Sequence, residues 1–492
     1  MRLLIEDCAV LDADQPQGYA SGQYLVLEDN LITAVTGQRP GGEFDRVISG
    51  ADRLAIPGLI NAHTHSPENF LRATTDRLAL EPWLVHLFGM CGEFSARDYY
   101  LSIMLGVIEM VRSGVTGVVD HFWMNPPLNA PALEAAMSAY RDSGLRAAVA
   151  PLYRDAQYDV DYGIVEGYPL ADTFFAQFGR QFPPLAEMLA VVDTFIQRWH
   201  GAEQGRLRVL VGPSGLQWCS EALLQQSLEL ARRYQTGFHM HLLETGLQAW
   251  ACRRRFGGSG VAWLAERGLL GPEVSLPHSV WLTPDDVECL ARTGASVVHN
   301  PAANLKLGSG LAPVRTMLDY GVPVALGTDG AASSDNQVLF EALRLAALIH
   351  NPGEAEPERW LSAREAWQMA TTAGAVVMGL PGRLGQLKPG YLADLALLDL
   401  NSPHLLPLND AYRHLAFCES GASVRTVIVD GRVVMHEGFI EAFDEAAILA
   451  EIRQAVAGRP HQQPVPPAIA EAIEKFKTFQ MEVTRHERLA AA

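Results

Sequence analysis

The sequence predicts an α/β fold: a (β/α)8 barrel of the TIM type, flanked by a small β domain that both chain ends supply. Three observations predict it. Eight short apolar runs recur through the middle of the chain with helical patterns between them. β-like runs broken by turn residues occupy residues 1–57 and return over residues 385–440. Histidines and carboxylates stand at the ends of several apolar runs, where a parallel barrel gathers its chemistry.

Taken in order, residues 1–57 contain the runs Arg2 to Val10, Gln23 to Glu28 and Leu31 to Val35, divided by Gly, Asp and Asn. They are too few to enclose a core. The same texture in Ala393 to Leu398, Val424 to Val429 and Val433 to Met435 is expected to complete their sheet. Residues 58–384 form the barrel, with candidate strands Leu54 to Ile60, Val115 to Asp120, Arg146 to Pro151, Arg208 to Val211, Thr236 to Leu242, Val274 to His278, Ala295 to His299 and Val322 to Gly327. Most are apolar throughout, as befits parallel strands covered by helices. Between them, Ala96 to Val111 reads as a helix with Ser95 as N-cap and Asp98 at capping-box spacing, and Ala132 to Ser143 as one that follows Pro131 and stops at Gly144. The longer connection Asp155 to Pro184 carries Tyr158, Tyr162, Tyr168, Phe174, Phe175 and Phe178. It reads either as a lid over the barrel mouth or as an aromatic connector packed on the wall. Residues 441–492 form a helical tail, Glu441 to Ala457 and Pro467 to Ala491 around Gly458 to Pro466, which packs outside the barrel or joins two subunits; a homodimer is the expected assembly.

A chain of 492 residues exceeds one ordinary core, which suits a large domain beside a smaller one. Its 38 Lys plus Arg against 56 Asp plus Glu leave a formal charge of -18. With no basic run long enough to track phosphates, nucleic acid and anionic membrane are excluded as partners. The cluster Arg253-Arg254-Arg255 reads as a solvated helix face. The six cysteines are scattered without a Cys-x-x-Cys pair and read as reduced thiols. The first residues meet acid too early for a signal peptide, and no run reaches the length of a membrane span, so a soluble cytoplasmic protein is expected.

The stretch Leu54-Ala55-Ile56-Pro57-Gly58-Leu59-Ile60-Asn61-Ala62-His63-Thr64-His65 ends in two imidazoles one residue apart. On an extended backbone both rings project to one face, a geometry that grips a metal ion. Alone, such a pair is more often an accident of an ordinary strand than a metal site. Here His241, Glu244, His278 and Asp329 also sit at or just after apolar runs, and in one parallel barrel those ends converge on one mouth.

In order and strand position, Pro57 to His65, His241-Leu242-Leu243-Glu244, Pro277-His278 and Leu326-Gly327-Thr328-Asp329-Gly330 resemble the amidohydrolase superfamily, in the branch of cytosine-, guanine- and adenosine-type aminohydrolases and triazine hydrolases. The resemblance implies that His63, His65, His241 and Asp329 hold one divalent metal, Zn²⁺ or alternatively Fe²⁺, with water in the remaining position. The fourth run ends Val211-Gly212-Pro213-Ser214 without a lysine, which favours one ion over two. It further implies Glu244 as proton shuttle to a ring nitrogen, His278 as hydrogen-bond partner of the attacking hydroxide, and Asp329 as carrier of its proton to the departing amine. The expected reaction is hydrolytic deamination of an aminated N-heteroaromatic ring, with a pterin such as isoxanthopterin favoured and 8-oxoguanine next. The alternative is a triazine-type hydrolase with a non-amine leaving group. Candidate contacts to this small heterocycle are Glu68, Trp83, His121, Gln217 and Trp218. A non-catalytic barrel would be expected to lose Glu244 or a ligand, and none is lost.

Overall fold

The computed structural model describes residues 1–155 and 182–491. The aromatic residues from Tyr158 to Phe178 therefore lie outside the described residues, and the lid reading with them.

The first five strands, β1 (Arg2–Leu11), β2 (Tyr19–Glu28), β3 (Leu31–Thr36), β4 (Arg46–Ser49) and β5 (Arg53–Pro57), belong to one nine-stranded sheet. The barrel strands follow: β6 (Leu59–Thr64), β7 (Val115–Phe122), β8 (Arg146–Tyr153), β9 (Leu207–Val209), β10 (Gly212–Pro213), β11 (Phe238–His239), β12 (Val274–Pro277), β13 (Ser296–His299) and β14 (Val324–Leu326). The chain then returns to the first sheet through β15 (Leu395–Asp399), β16 (Val424–Val429), β17 (Arg432–His436) and β18 (Phe439–Ile440). The two ends meet where β5 pairs antiparallel with β15, Ala55 opposite Leu397.

The run Leu54 to Ile60, expected as one barrel strand, is two. Pro57 can donate no ladder hydrogen bond, and the Gly58 N–H leaves the barrel to bond Asp394 O at 3.0 Å. A Cβ on Gly58 would lie 2.0 Å from Thr116 Oγ1, so only glycine turns this corner. Alternation along β5 then serves two layers: Leu54 and Ile56 enter the large barrel-and-helix core, and Ala55 the core of the sheet with Leu3, Ile5, Leu25 and Leu397. Arg146, at the start of β8, ties the layers at depth. Its guanidinium is 1% exposed and bonds Asp394 at 2.7 Å and Asp430 at 2.8 Å, so the buried charge is paired on both sides.

The barrel consists of two parallel arcs, β6 to β10 and β11 to β14. A parallel bridge between Val211 and Phe238 joins them on one side. On the other, Asp329 N–H donates to His63 O at 2.9 Å, and Asn61 Oδ1 accepts Thr328 N–H at 3.0 Å. Small and branched residues fill the interior, among them Ile60, Ala62, Val119, Ala148, Ala150, Leu210, Val298 and Ala325. Helix Thr372–Val377 seals the lower end with Ala375 and Val377.

The helices follow their sequence signals. Ala96–Arg112 has the Ser95–Asp98 capping box, and Ala130–Ser143 ends at Gly144 with φ 75°. In the tail, helices Glu445–Val456 and Pro467–Ala491 form, and the second lays Ala472, Ile473 and Phe476 against Val85, Trp218 and Leu247 at the barrel mouth. Among the described residues, no helix is long and apolar enough to cross a membrane.

Candidate metal centre and active site

Each functional side chain sits where a strand gives way to its loop. His63 lies near the end of β6, where pairing with β7 slips from Asn61↔Val118 to Thr64↔Asp120. That slip is one extra residue on β6, a bulge that re-aims the side chains beside it. His241 stands just past β11, bridged to Gly215, and His278 follows β12. His278 and Asp329 have φ of 72° and 65°, left-handed values that turn the chain sharply at the strand ends.

The structure brings His63, His65, His241, His278 and Asp329 together. The ligating atoms of His63, His65 and His241 lie within 4.8 Å of one another, as do those of His63, His278 and Asp329. Asp329 Oδ1 is 3.4 Å from His63 Nε2 and 3.5 Å from His65 Nε2, and His65 Nε2 is 3.2 Å from His241 Nε2.

The tautomers follow from the hydrogen bonds. His65 Nδ1–H donates to His121 O at 2.6 Å and His241 Nδ1–H to Ser214 O. His63 Nδ1 is 2.8 Å from His239 Nε2, and His63 Nε2 is buried without a hydrogen-bond partner. All three rings thus have Nδ1 engaged away from the site and Nε2 facing the cluster. Burial first, then neighbouring imidazoles, hold His63 and His241 well below the usual histidine range, so both are neutral. Burial opposes ionisation of Asp329, but His278, His65, His241 and the Gly330 N–H hold its carboxyl below the usual value. Its Oδ1 accepts Gly330 N–H at 2.8 Å and its Oδ2 accepts Ser333 Oγ–H at 3.0 Å. Three imidazole nitrogens and one carboxylate around an orphaned lone pair are a donor set that fits a divalent cation.

Glu244 overhangs this cluster. Its Oε1 is buried, without a hydrogen-bond partner, and 3.7 Å from His278 Nδ1. Burial, then the charges of Asp329 and Glu81, push its carboxyl well above the usual range, which favours the protonated form. His278 Nδ1–H donates to Asn304 Oδ1 at 2.9 Å, leaving Nε2 as an acceptor. Burial likewise raises the Glu68 carboxyl to about 7.

A cavity opens above. His65, Glu68, His241, Glu244, His278 and Asp329 line its floor, and Leu80, Trp83, Leu87, Trp123, Phe182 and Trp218 its apolar walls, with Arg154 also on the lining. Glu68, Trp83 and Trp218 therefore face the cavity. His121 and Gln217 are not among its lining residues. The His121 ring packs against both His65 and His241, 5.7 and 4.7 Å from their centroids, with Nε2 3.1 Å from Gly212 O. Gln217 is 1% exposed in the turn Leu216–Trp218.

Sequence reasoning missed Glu81. Its carboxylate is 2% exposed and accepts Thr245 Oγ1–H at 2.6 Å, which places it beside the Glu244 loop. An acid within an otherwise apolar first helical turn, Leu80-Glu81-Pro82-Trp83, was the available signal.

The amidohydrolase family model matches residues 54–434. The 5'-deoxyadenosine deaminase of Methanosarcina mazei is 35% identical over 455 residues, covering 92% of this chain and 97% of that protein. The 5-methylthioadenosine/S-adenosylhomocysteine deaminase of Syntrophomonas wolfei is 31% identical over 459 residues, covering 92% and 98%. Among solved structures, atrazine chlorohydrolase from Arthrobacter aurescens TC1 complexed with zinc superposes with a TM-score of 0.83 at 28% identity, covering 92% of this chain and all of that one.

Proposed function

The chain belongs to the amidohydrolase family, and we propose that it is a zinc-dependent aminohydrolase that replaces the exocyclic amine of an adenine nucleoside by a carbonyl, releasing ammonia. The favoured substrates carry a small or apolar 5' group, as in 5'-deoxyadenosine and 5'-methylthioadenosine. The observation that carries the reading is the buried Glu244 carboxyl overhanging a cluster in which three imidazole Nε2 atoms and Asp329 converge. The relatives' names support the substrate class, since they act on adenosines. The apolar cavity walls suit an uncharged 5' substituent. The pterin expected from the sequence draws no support from these relatives.

In this reading His63, His65, His241 and Asp329 hold the zinc ion. When bound, the ion supplies the Lewis acidity that lowers the pKa of a coordinated water from about 15.7 towards ~7. Trp83 and Trp218 offer flat faces to the heterocycle. His278 Nε2 accepts a hydrogen bond from the attacking water and orients it towards the amine-bearing carbon. Asp329 accepts the water's proton and passes it to the departing amine. Glu244 gives its proton to the adjacent ring nitrogen, so that charge does not accumulate on the ring as the new C–O bond forms.

A second reading, displacement of a non-amine group from a triazine, draws on the likeness to atrazine chlorohydrolase. Steady-state kinetics of zinc-loaded protein with 5'-deoxyadenosine, 5'-methylthioadenosine, isoxanthopterin and a chlorotriazine separate the readings. The highest kcat/KM on an adenosine is the expected result. Chloride release from the triazine with no ammonia from either adenosine would replace the first reading by the second.

A further inference from the structure

The interior of the barrel holds a hydrogen-bonded file that the chemistry above does not use. His63 Nδ1 lies 2.8 Å from His239 Nε2, and His239 Nδ1 lies 2.7 Å from Ser275 Oγ. The Ser275 hydroxyl is 3.3 Å from the carbonyl of Phe238, to which it donates. His63 and His239 are fully buried and Ser275 is 3% exposed.

This file has a direction. A hydroxyl carries one hydrogen. If Ser275 gives it to Phe238 O, its oxygen accepts from His239 Nδ1–H. His239 Nε2 then carries a lone pair and accepts from His63 Nδ1–H, and His63 Nε2 faces Asp329 and the other imidazoles with a lone pair. If the hydroxyl instead turned to His239, every bond would reverse. His239 Nε2–H would donate to His63 Nδ1, and His63 would present an N–H to the cluster, where no cation could be accepted.

We propose that Ser275 and His239 are positioning residues that fix the metal-accepting tautomer of His63, with the Phe238 carbonyl as the anchor that sets the direction. His65 and His241 need no such file, because each donates straight to a backbone carbonyl, those of His121 and Ser214. His63 differs because its Nδ1 meets not a carbonyl but another imidazole, that of His239. Two side chains, those of His239 and Ser275, link it to the Phe238 carbonyl. Hydrogen-bond partners of this kind change metal affinity by about 10- to 100-fold when removed from a ligating histidine.

The inference rests on the proposed function only in that the cluster holds a metal, and its test needs no substrate. Zinc affinity of the full-length protein is measured by competition with a chromophoric chelator for the wild type, Ser275→Ala, Ser275→Thr and His239→Phe, together with thermal unfolding of each metal-free protein. Ser275 borders the cavity at the lower end of the barrel, which leaves room for the extra methyl of threonine. Ser275→Ala and His239→Phe are expected to weaken zinc binding about 10- to 100-fold, and Ser275→Thr to restore it, with the metal-free Tm of the two serine variants alike. Equal affinity in wild type and Ser275→Ala overturns the proposal, as does failure of threonine to rescue. A wild type that binds no zinc overturns it together with the metal reading of the site. Zinc bound normally without ammonia release from adenosines overturns the deaminase reading and leaves this one standing.

Discussion

The backbone N–H of Asp329 donates to the carbonyl of His63 at 2.9 Å, so the hydrogen bond that closes the barrel between its last and first strands joins two members of the metal cluster. Barrel closure and the candidate metal centre thus share one bond. Asn61 reinforces the seam, donating to Thr328 Oγ1 at 2.8 Å and to Gln337 Oε1 at 3.2 Å while accepting Thr328 N–H. Replacing Asn61 by Leu leaves that buried N–H unpaired and is expected to cost about 1–3 kcal/mol of stability. Bound zinc should fall with it. Urea unfolding and metal analysis check both, and an unchanged zinc stoichiometry would separate closure from site assembly.

Glu244 approaches the cluster without belonging to the donor set, so charge and metal can be uncoupled there. Glu244→Gln keeps the shape and removes the acid. It is expected to retain one zinc while kcat falls by about 10²–10⁴. Metal analysis beside an ammonia assay tests this, and near-wild-type turnover would remove Glu244 from the mechanism.

Gly330 follows Asp329, and a Cβ there would lie 1.9 Å from Glu68 Oε2. Gly330→Ala must therefore displace either the cavity-floor carboxylate or the loop that carries Asp329. Overpacking of this kind costs about 1–3 kcal/mol. KM should rise together with the loss of stability, as kinetics and thermal unfolding would show. A variant with wild-type KM and Tm would mean that Glu68 moves aside freely.

Phe476, on the C-terminal helix, is 2% exposed in a cluster with Val85, Trp218 and Leu247. It supports the cavity wall from behind. Phe476→Ala is expected to destabilise by about 3–5 kcal/mol and to raise KM more than it lowers kcat, because the reacting groups lie across the cavity. A fall in kcat at constant KM would contradict that role.

The legible parts of the sequence share a physical reason. A barrel strand announces itself by a local apolar run, and its loop-proximal end by the residue that follows, so His63, His65, His241, Glu244, His278 and Asp329 could be placed at one mouth from local signals alone. What depended on distant partners was less visible. The split at Pro57-Gly58 is decided by Thr116 and Asp394, not by the hydrophobicity of Leu54 to Ile60. His121 ends a strand as the others do, yet its ring packs against His65 and His241 instead of lining the cavity, which follows from packing around the barrel. Glu81 sits in the first turn of its helix, and its partner Thr245 lies 164 residues away. The partners of His239 in the His63–His239–Ser275 file were likewise beyond local reading, because three strands contribute one ring or hydroxyl each.

The measurement that tests the central claim most directly is product analysis of 5'-deoxyadenosine incubated with zinc-loaded and chelator-stripped protein. The account predicts one ammonia for each 5'-deoxyinosine formed by the zinc-loaded protein, loss of both on stripping, and recovery of both when zinc is restored. No ammonia from a protein that carries its full complement of zinc would contradict it.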